Sequence, residues 1–269
     1  MPKVRLDVLL VEKGLADSRA KAQALIMAGQ VRVADQVALK PATTVQPDAV
    51  LTVDMGPRYV SRGGEKIEGA LNTFVIDVTG FVCADVGAST GGFTDCLLQH
   101  GAVKVYAIDV GKGILHWKLR NDPRVVVMEE TNARFVESLS EKIDFVTVDA
   151  SFISLRTLLP VIKKWNVESG IVALIKPQFE AGKKIVSRGD GVVRDPEVHK
   201  QVLLDVLTFA KAEGFGLRGL VKSSLLGPKG NAEFLVWLDM NPNEAMVEDL
   251  VNSLFPANEM DEDDELPKM

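Results

Sequence analysis

The sequence contains only two cysteines, Cys83 and Cys96, among its 269 residues. Two cysteines cannot form the multi-disulfide framework of a small secreted domain, and both lie in apolar segments typical of buried, reduced thiols. The three histidines, His100, His116 and His199, are scattered along the chain. Together with the cysteines they offer no spacing typical of a metal site. We therefore expect neither a disulfide framework nor a bound metal.

Long apolar runs are absent as well. The longest stretch without a charged residue, residues 22–31, has ten residues, which is half of the about 20 that a membrane-spanning helix needs. The first apolar run contains Asp7, which is not the pattern of a signal peptide. We therefore expect a cytoplasmic protein with no membrane partner.

A net basic charge is also missing, since the formal charge at pH 7 is −6. Residues 257–269 hold six acids and one lysine, so the rest of the chain carries only −1 of that total. Residues 1–66 hold ten Lys or Arg and seven Asp or Glu, a local excess of +3. The negative net charge does not exclude a nucleic-acid partner, because a protein can carry a basic surface patch without being basic overall. The acidic tail has too few apolar residues to pack and is expected to be disordered.

The pattern along the chain divides it into four segments. Residues 1–56 combine two helical stretches with short alternating strands, as in a small α+β domain. Residues 54–62 form a turn-rich boundary, and within it residues 57–62 suit a linker. Residues 63–256 form the large domain, and residues 257–269 form the acidic tail.

The sequence of the large domain predicts a doubly wound α/β sheet, because predicted strands and helices alternate along it. The predicted strands are residues 81–86, 104–110, 125–128, 145–148 and 170–175, and the predicted helices lie near 91–100, 113–120, 155–165 and 197–213. Two late, adjacent strands at 218–224 and 233–239 suggest a terminal antiparallel hairpin. This order predicts a Rossmann-like fold with ligand sites at the carboxyl ends of its strands.

A glycine-rich turn follows the first predicted strand, with the sequence Asp85-Val86-Gly87-Ala88-Ser89-Thr90-Gly91-Gly92-Phe93-Thr94. Glycines permit a tight turn and a close approach of the backbone to a ligand. The spacing from Gly87 to Gly91 lacks the G-x-G-x-x-G string that seats a pyrophosphate, which favours S-adenosylmethionine over NAD. The candidate contacts with this methyl donor are Asp85, Gly87, Ser89, Thr90, Gly91, Gly92 and Phe93.

Four further short strings each carry one charged residue of a possible set. They are Ser61-Arg62-Gly63-Gly64-Glu65-Lys66, Val148-Asp149-Ala150-Ser151-Phe152, Ile175-Lys176-Pro177-Gln178-Phe179-Glu180 and Lys229-Gly230-Asn231-Ala232-Glu233. With the glycine-rich turn, and in this order, they resemble the TlyA or hemolysin A branch of the FtsJ-like RNA 2′-O-methyltransferases. The resemblance covers about residues 4–240. It implies an S-adenosylmethionine-dependent methyltransferase whose catalytic residues are Lys66, Asp149, Lys176 and Glu233.

The chemistry that the resemblance implies needs a base and a positioning frame, but no metal, because a ribose hydroxyl is a poor nucleophile. The ordinary pKa of lysine, about 10.4, is too high for a base near neutrality unless desolvation or a second cation lowers it. We expect Lys176 to take or polarise the hydroxyl proton, with Lys66 as the second cation. Asp149 would orient Lys176 and face the sulfonium, and Glu233 would complete the charge network. The alternative for each residue alone is an ordinary salt bridge.

Two residues after the next strands extend the candidate donor site. Asp109 stands 24 positions after Asp85, where an acid can accept hydrogen bonds from both ribose hydroxyls. The alternative for Asp109 is an exposed loop acid. Asn132 follows the third strand, where the resemblance implies contact with the adenine.

The N-terminal segment looks like an S4-type RNA-binding domain. Three strings carry this resemblance: Arg5-Leu6-Asp7, Ser18-Arg19-Ala20-Lys21-Ala22 and Ala28-Gly29-Gln30-Val31-Arg32-Val33. A helix is predicted from residue 19 to 28, capped by Asp17 and Ser18, and a hairpin at 31–39. The resemblance implies ribosomal RNA and ribosomal subunits as partners, with cytidine riboses as targets. The candidate RNA contacts are Arg5, Arg19, Lys21, Arg32, Lys40 and Arg62. Their alternative is a solvated surface charge. No feature of the sequence sets an oligomeric state.

Other functional classes fit the sequence less well. A membrane-lytic protein would need a spanning helix, a signal or a strongly amphipathic cationic segment. A pseudouridine synthase would need an H-R-L-D string, and a serine hydrolase built on Ser89 would need a histidine base. A non-enzymatic RNA-binding or ribosome-assembly protein that keeps the fold stays open, and a donor-binding assay would separate it from the enzyme.

Overall fold

A computed structural model describes residues 2–54, 56–181 and 191–255 of the chain. The acidic segment 257–269, predicted to be disordered, lies outside the described residues. The contacts divide the chain into two compact units, Met1–Arg58 and Tyr59–Met269.

The first unit packs two helices and short strands around a small apolar core. Its helices are α1 (Leu6–Glu12) and α2 (Arg19–Met27), and its strands are β1 (Val4–Arg5), β2 (Val31–Val33), β3 (Gln36–Ala38), β4 (Thr44–Val45) and β5 (Leu51–Val53). β1 pairs with β4, and β2 lies between β3 and β5, all antiparallel. The hydroxyl of Ser18 accepts the N–H of Lys21 and caps α2. The predicted helix and hairpin are therefore present, within two residues of their expected bounds.

The second unit contains a mixed sheet of seven strands in the order β11-β12-β10-β9-β6-β7-β8. The strands are β6 (Val82–Val86), β7 (Lys104–Ile108), β8 (Val125–Met128), β9 (Phe145–Val148), β10 (Gly170–Ile175), β11 (Gly216–Lys222) and β12 (Phe234–Asp239). β6 to β10 are mutually parallel, whereas β12 runs antiparallel to both β10 and β11. The Rossmann-like sheet and its terminal hairpin, predicted from the sequence, are confirmed.

Helices cover both faces of this sheet, and each face has its own apolar core. The helices are α3 (Gly63–Phe74), α4 (Gly92–Gln99), α5 (Trp117–Arg120), α6 (Leu155–Lys163), α7 (Pro177–Glu180), α8 (Pro196–Ala212) and α9 (Val247–Asn252). α3 and α4 share one core, and α6, α8 and α9 share the other. The central strands β9 and β10 are buried on both sides, which explains their apolar composition.

Two segments differ from the sequence-based expectation. The helix predicted near 113–120 begins only at Trp117, because Gly113 has a positive φ of 67° and the segment before α5 is held as a loop. Residues 59–62, predicted as part of a linker, belong to the second unit. Tyr59 is only 2% exposed there and packs against Gly64, where a Cβ would lie 2.2 Å from the Tyr59 ring.

Candidate active site

Two cavities lie beyond the carboxyl ends of β6, β7 and β9. The first has a volume of about 280 Å³ and is lined by residues that follow these strands and by residues 131–133. The second has a volume of about 330 Å³ and is lined by the start of α3, the glycine-rich turn and residues 225–228. Gly87, Ser89 and Asp149 line both cavities. Among the described residues, Asp149 is the one charged side chain that the two cavities share.

Gly87 brings the turn after β6 against the end of β9. Its φ is +86°, and a Cβ at this position would lie 2.6 Å from the backbone oxygen of Asp149. Both the conformation and the lack of space exclude any other residue without a shift of the backbone. Gly87 thus allows the backbone after β6 to approach the backbone of Asp149, where both residues line the two cavities.

Asp109 and Asn132 both line the first cavity. The two carboxylate oxygens of Asp109 accept backbone N–H groups, from Ser89 at 2.8 Å and from Gly111 at 2.7 Å. Each carboxylate oxygen has two lone pairs, so both can accept a further hydrogen bond from a ligand. Asn132 accepts the N–H of Arg134 through Oδ1 at 3.1 Å. The geometry is compatible with the predicted contacts, whose roles stay predictions.

The other residues of the glycine-rich turn divide between the second cavity and the core. Ser89, Thr90, Gly92 and Phe93 all line the second cavity. Phe93 is nevertheless 3% exposed and packs in the core shared by α3 and α4. Gly91 lines neither cavity; its φ is +97°, and a Cβ there would lie 2.2 Å from a methyl of Leu119. Gly91 is therefore needed for the start of α4 and for its packing.

Asp85 lies behind the glycine-rich turn, and its predicted contact with the donor stays a prediction. Its side chain is fully buried and lines neither cavity. Oδ2 accepts the backbone N–H of Thr94 at 3.0 Å and the hydroxyl of Thr94 at 2.7 Å, and Oδ1 accepts the hydroxyl of Thr147 at 3.1 Å. Burial raises the pKa of Asp85 to about 7 despite these hydrogen bonds. Asp85 anchors the start of α4 to the sheet and holds the turn in shape from behind.

Lys176 and Asp149 form an ion pair between the ends of β10 and β9, with Nζ 2.5 Å from Oδ1. Nζ also donates to the Ala150 oxygen at 3.4 Å and the Ser151 hydroxyl at 3.3 Å. Lys176 is 7% exposed and lines neither cavity, whereas its partner Asp149 lines both. The contact by which Asp149 was expected to orient Lys176 is therefore present.

Lys66 and Glu233 form the second ion pair of the predicted catalytic set, at 2.5 Å. Lys66 lies on the first turn of α3 and lines the second cavity, whereas Glu233 is buried directly before β12. The expectation that Lys66 acts on Lys176 as a second cation stays a prediction, and the contacts show a carboxylate partner for each lysine. Each lysine has such a partner because each cationic side chain entering this partly buried region needs a counter-charge.

Strand pairing explains how such distant residues meet. Val148 in β9 is opposite Ala173 in β10, and Ile175 in β10 is opposite Phe234 in β12. Asp149, Lys176 and Glu233 each stand one position beyond these strands, at one edge of the sheet. The order of strands in the sheet, and not their order in the chain, brings them together.

Gly227 is a residue of this site that sequence reasoning did not identify. A Cβ at position 227 would lie 2.0 Å from Oε1 of Glu233. Oε1 is buried and has no hydrogen-bond partner among the described residues. Gly227 thus leaves space for the Glu233 carboxylate, and its place in Gly227-Pro228-Lys229-Gly230 was the available signal.

Two further residues shape the first cavity without having been predicted. Glu129 accepts the N–H groups of Gly113, Ile114 and Leu115 at 2.8 to 3.1 Å and so holds the loop whose Ile114 lines the cavity. The bond from Arg120, followed by those from the loop N–H groups, lowers the pKa of Glu129 to about 2. Phe152 also lines the cavity, is 91% exposed, and has a φ of 63° that a bulky residue rarely adopts.

The candidate RNA contacts fall in both units. Arg19, Lys21, Arg32 and Lys40 are exposed in the first unit, and Arg5 is half-buried there. Arg62 is exposed in the second unit and lines the second cavity beside Lys66. Exposure leaves these side chains free to meet RNA but does not demonstrate the contact, so their roles stay predictions.

The described part of the chain shows neither a membrane-spanning helix nor a metal-binding group. None of its helices combines the length and the apolar character that a bilayer crossing requires. Among residues 2–54, 56–181 and 191–255, no group of three or more His, Cys, Asp or Glu side chains is arranged to hold a metal ion.

Comparison with known proteins identifies relatives that cover most of the chain. The sequence profile of the FtsJ-like methyltransferases matches residues 59–240, and that of the S4 domain matches residues 4–51. A candidate rRNA methyltransferase of Bacillus subtilis, YqxC, is 50% identical over 88% of this chain and 85% of its own. TlyA of Mycobacterium tuberculosis, a 16S/23S rRNA (cytidine-2′-O)-methyltransferase, is 47% identical over 91% of this chain and 92% of its own.

A solved structure extends the likeness to three dimensions. A candidate hemolysin from Streptococcus thermophilus is 41% identical, and the match covers 94% of this chain and 96% of that one, with a TM-score of 0.67. The profile match spans more than half of the chain, and the relatives match nearly end to end. On these grounds the chain belongs to the FtsJ-like methyltransferase family, in the branch that carries an N-terminal S4 domain.

Proposed function

We propose that this protein transfers the methyl group of S-adenosylmethionine to the 2′-hydroxyl of a cytidine ribose in ribosomal RNA, in the cytoplasm. The observation that carries the proposal is the position of Asp149. It lines both cavities and forms an ion pair with Lys176, so it stands where a donor and an acceptor would meet. The name of the TlyA relative supports the cytidine ribose of ribosomal RNA as the substrate.

The residues around the first cavity fit the methyl donor. Asp109 can accept hydrogen bonds from the two hydroxyls of a ribose, since each of its carboxylate oxygens has a lone pair left. Apolar side chains of Ile108, Ile114 and Leu158 line the same cavity as Asn132 and suit a planar purine with one polar edge. Gly87 lets the backbone approach the ligand. A polar end for the ribose and an apolar end for the base therefore lie in one cavity.

When bound, S-adenosylmethionine supplies a methyl carbon already activated by a positively charged sulfur. The chain has to place the ribose oxygen in line and assist the loss of its proton. Lys176, held by its ion pair with Asp149, would take or polarise the proton of that hydroxyl. Asp149 orients Lys176, and its negative charge favours a sulfonium nearby.

The second ion pair would hold the acceptor side. Lys66 lines the second cavity and is fixed by Glu233, so its position does not depend on the ligand. Arg62 lies at the same cavity and would attract the phosphates of the target strand. A rigid, charged cavity beside Asp149 suits a ribose with its neighbouring phosphates.

The test is methyl transfer to purified ribosomal subunits, followed by mapping of 2′-O-methyl groups on ribosomes from cells with and without the protein. New 2′-O-methyl cytidines that depend on the protein would support the proposal. A protein that binds S-adenosylhomocysteine and subunits but transfers no methyl group would instead be a non-enzymatic RNA-binding protein.

Lys176→Ala should abolish methyl transfer while leaving the affinity for S-adenosylhomocysteine within about twofold of wild type, because the role of this lysine belongs to the transition state. Single-turnover rates and calorimetry measure the two quantities. Lys142→Ala, which removes an exposed lysine paired with Glu168, is the matched control and should keep full activity. Residual transfer above about a tenth of the wild-type rate would remove Lys176 from this role.

A further inference from the structure

A buried carboxylate holds two of the basic side chains of the first unit. The side chain of Asp7 on α1 is fully buried. Its Oδ1 accepts from Nε of Arg5 at 3.0 Å, and its Oδ2 accepts from Nη2 of Arg5 at 2.9 Å. Oδ2 also accepts from Nε of Arg19 at 3.0 Å and from Nε2 of Gln23 at 2.8 Å. Asp7 thus accepts two hydrogen bonds from Arg5 and links it to Arg19 and Gln23 on α2.

The two guanidinium groups remain open to solvent on their other sides. The side chain of Arg5 is 42% exposed and that of Arg19 is 56% exposed. A guanidinium has five N–H donors. Within the described contacts, Asp7 takes two of these donors from Arg5 and one from Arg19. Most of the donors of the pair are therefore left for a ligand.

Asp7 is charged whenever the protein is near neutral pH. The hydrogen bonds from Arg5 hold the pKa of Asp7 well below its usual range, against the opposing effect of burial, and those from Gln23 and Arg19 add to the shift. A buried, charged and fully paired acid fixes the orientation of its partners, because any other arrangement would leave the charge without hydrogen bonds.

We propose that Asp7 is a positioning residue for RNA binding, which holds Arg5 and Arg19 as a fixed pair that contacts backbone phosphate. This inference rests on the proposed function, since it takes RNA to be the ligand of the first unit. An arginine that is already immobilised loses less rotamer freedom on binding, so more of its interaction with phosphate appears as affinity. Planar guanidinium groups also match phosphate oxygens with paired hydrogen bonds.

Simple electrostatics predicts the opposite effect of removing this acid. Asp7→Asn makes the RNA-binding unit one charge more positive, which alone should strengthen binding to a polyanion. If Asp7 instead orients the arginines, the same substitution should weaken binding. Glu12→Gln removes one acid from the exposed end of the same helix, away from these contacts. It is the charge-matched control, and only Asp7→Asn should weaken binding.

The experiment measures binding of the full-length chain to purified large and small ribosomal subunits across a range of salt concentrations. Asp7→Asn should lower the affinity by about fivefold or more, because two side chains are no longer held in place. Glu12→Gln should leave the affinity unchanged or slightly raised. In an Arg5→Ala, Arg19→Ala background, Asp7→Asn should have no further weakening effect, since no arginine is left to position.

Each alternative outcome overturns the inference. Unchanged or tighter binding by Asp7→Asn, with wild type binding normally, would show that Asp7 does not position the pair while leaving the proposed function intact. Further weakening in the double-alanine background would show that the acid acts on binding without the two arginines, through the fold of the first unit. Failure of the wild type to bind either subunit would remove the proposed function together with this inference.

Discussion

Asp109 is held by backbone groups on both of its oxygens, which sets the carboxylate in the first cavity before any ligand arrives. Asp109→Ala should raise the dissociation constant of S-adenosylhomocysteine by more than about tenfold, since charge-assisted hydrogen bonds contribute roughly 1.5–3 kcal/mol. Calorimetry measures this change. Glu130→Ala removes an exposed acid paired with Lys112 and serves as the control, which should bind as wild type. Equal titration curves for the two variants would count against a contact between Asp109 and the donor.

Gly227 is required by the space that Glu233 occupies. Gly227→Ala would place a methyl group 2.0 Å from Oε1 of Glu233, so either the carboxylate or the loop must move. We expect methyl transfer to subunits to fall by about tenfold or more, because a small misplacement of the catalytic frame is costly. Affinity for S-adenosylhomocysteine should change little, as Gly227 does not line the first cavity.

The control for Gly227→Ala is Gly69→Ala in the middle of α3. No atom lies within 4 Å of a Cβ built at position 69. Alanine is favoured over glycine in a helix by about 1 kcal/mol, so Gly69→Ala should raise the melting temperature and keep full activity. If both alanine variants transfer methyl groups at the wild-type rate, the space around Glu233 is not needed for catalysis.

Helix α4 depends on a buried acid at the end of β6. Asp85 accepts the N–H and the hydroxyl of Thr94, near the start of α4, so the glycine-rich turn between them is clamped at both ends. The pKa of Asp85 is about 7 in the folded chain, chiefly because of burial, against an ordinary value of 3.8. A raised carboxyl pKa means that the folded chain holds the proton more tightly than the unfolded chain. This contribution to stability therefore declines as the pH rises from about 4 to about 7.

Asp85→Asn removes this titration. The melting temperature of this variant minus that of the wild type should therefore rise between about pH 5 and about pH 8. The prediction concerns this change with pH and not the size of the difference at any one pH. Asp77→Asn is the control, because hydrogen bonds from Thr79 lower the pKa of Asp77 and place its titration below that range. A difference between Asp85→Asn and wild type that stays constant with pH would contradict a pKa near 7.

The two compact units have separate apolar cores, and the candidate donor site lies within the second unit. Deletion of residues 1–56 should therefore leave binding of S-adenosylhomocysteine within about twofold of the full-length chain. Binding to ribosomal subunits should weaken greatly. The slope of log K against log salt should also become shallower, by roughly 0.7–0.9 for each phosphate that the shortened chain no longer neutralises.

Binding curves at several salt concentrations, measured beside methyl transfer, test this division of roles. The matched comparison is the full-length chain at the same ionic strength, because affinities for nucleic acid have meaning only at a stated salt concentration. Methylation of subunits by the shortened chain at the full-length rate, at physiological salt, would show that the first unit does not recruit the substrate.

Much of this protein follows from local patterns in its sequence. The strands β6 to β10 are short and mostly apolar, and the central ones are buried on both faces, so their bounds were predicted to within two residues. The helix capped by Ser18 and the terminal hairpin were predicted for similar reasons. The distinctive strings around Lys66, Asp149, Lys176 and Glu233 indicated the family, since each is short and their order is specific.

Only the tertiary structure decided how those residues are paired and which of them meet the cavities. Asp85 was expected at the ligand, a role that stays a prediction, and only the structure shows that it is buried and bonded to Thr94 and Thr147. Lys66 was expected beside Lys176, and only the structure shows that Glu233 pairs with Lys66 and Asp149 with Lys176. Asp7 was part of a motif string, and its grip on Arg5 and Arg19 depends on the packing of α1 against α2. Periodicity reports which side of a strand or helix is buried, whereas side-chain partners depend on distances between segments far apart in the chain.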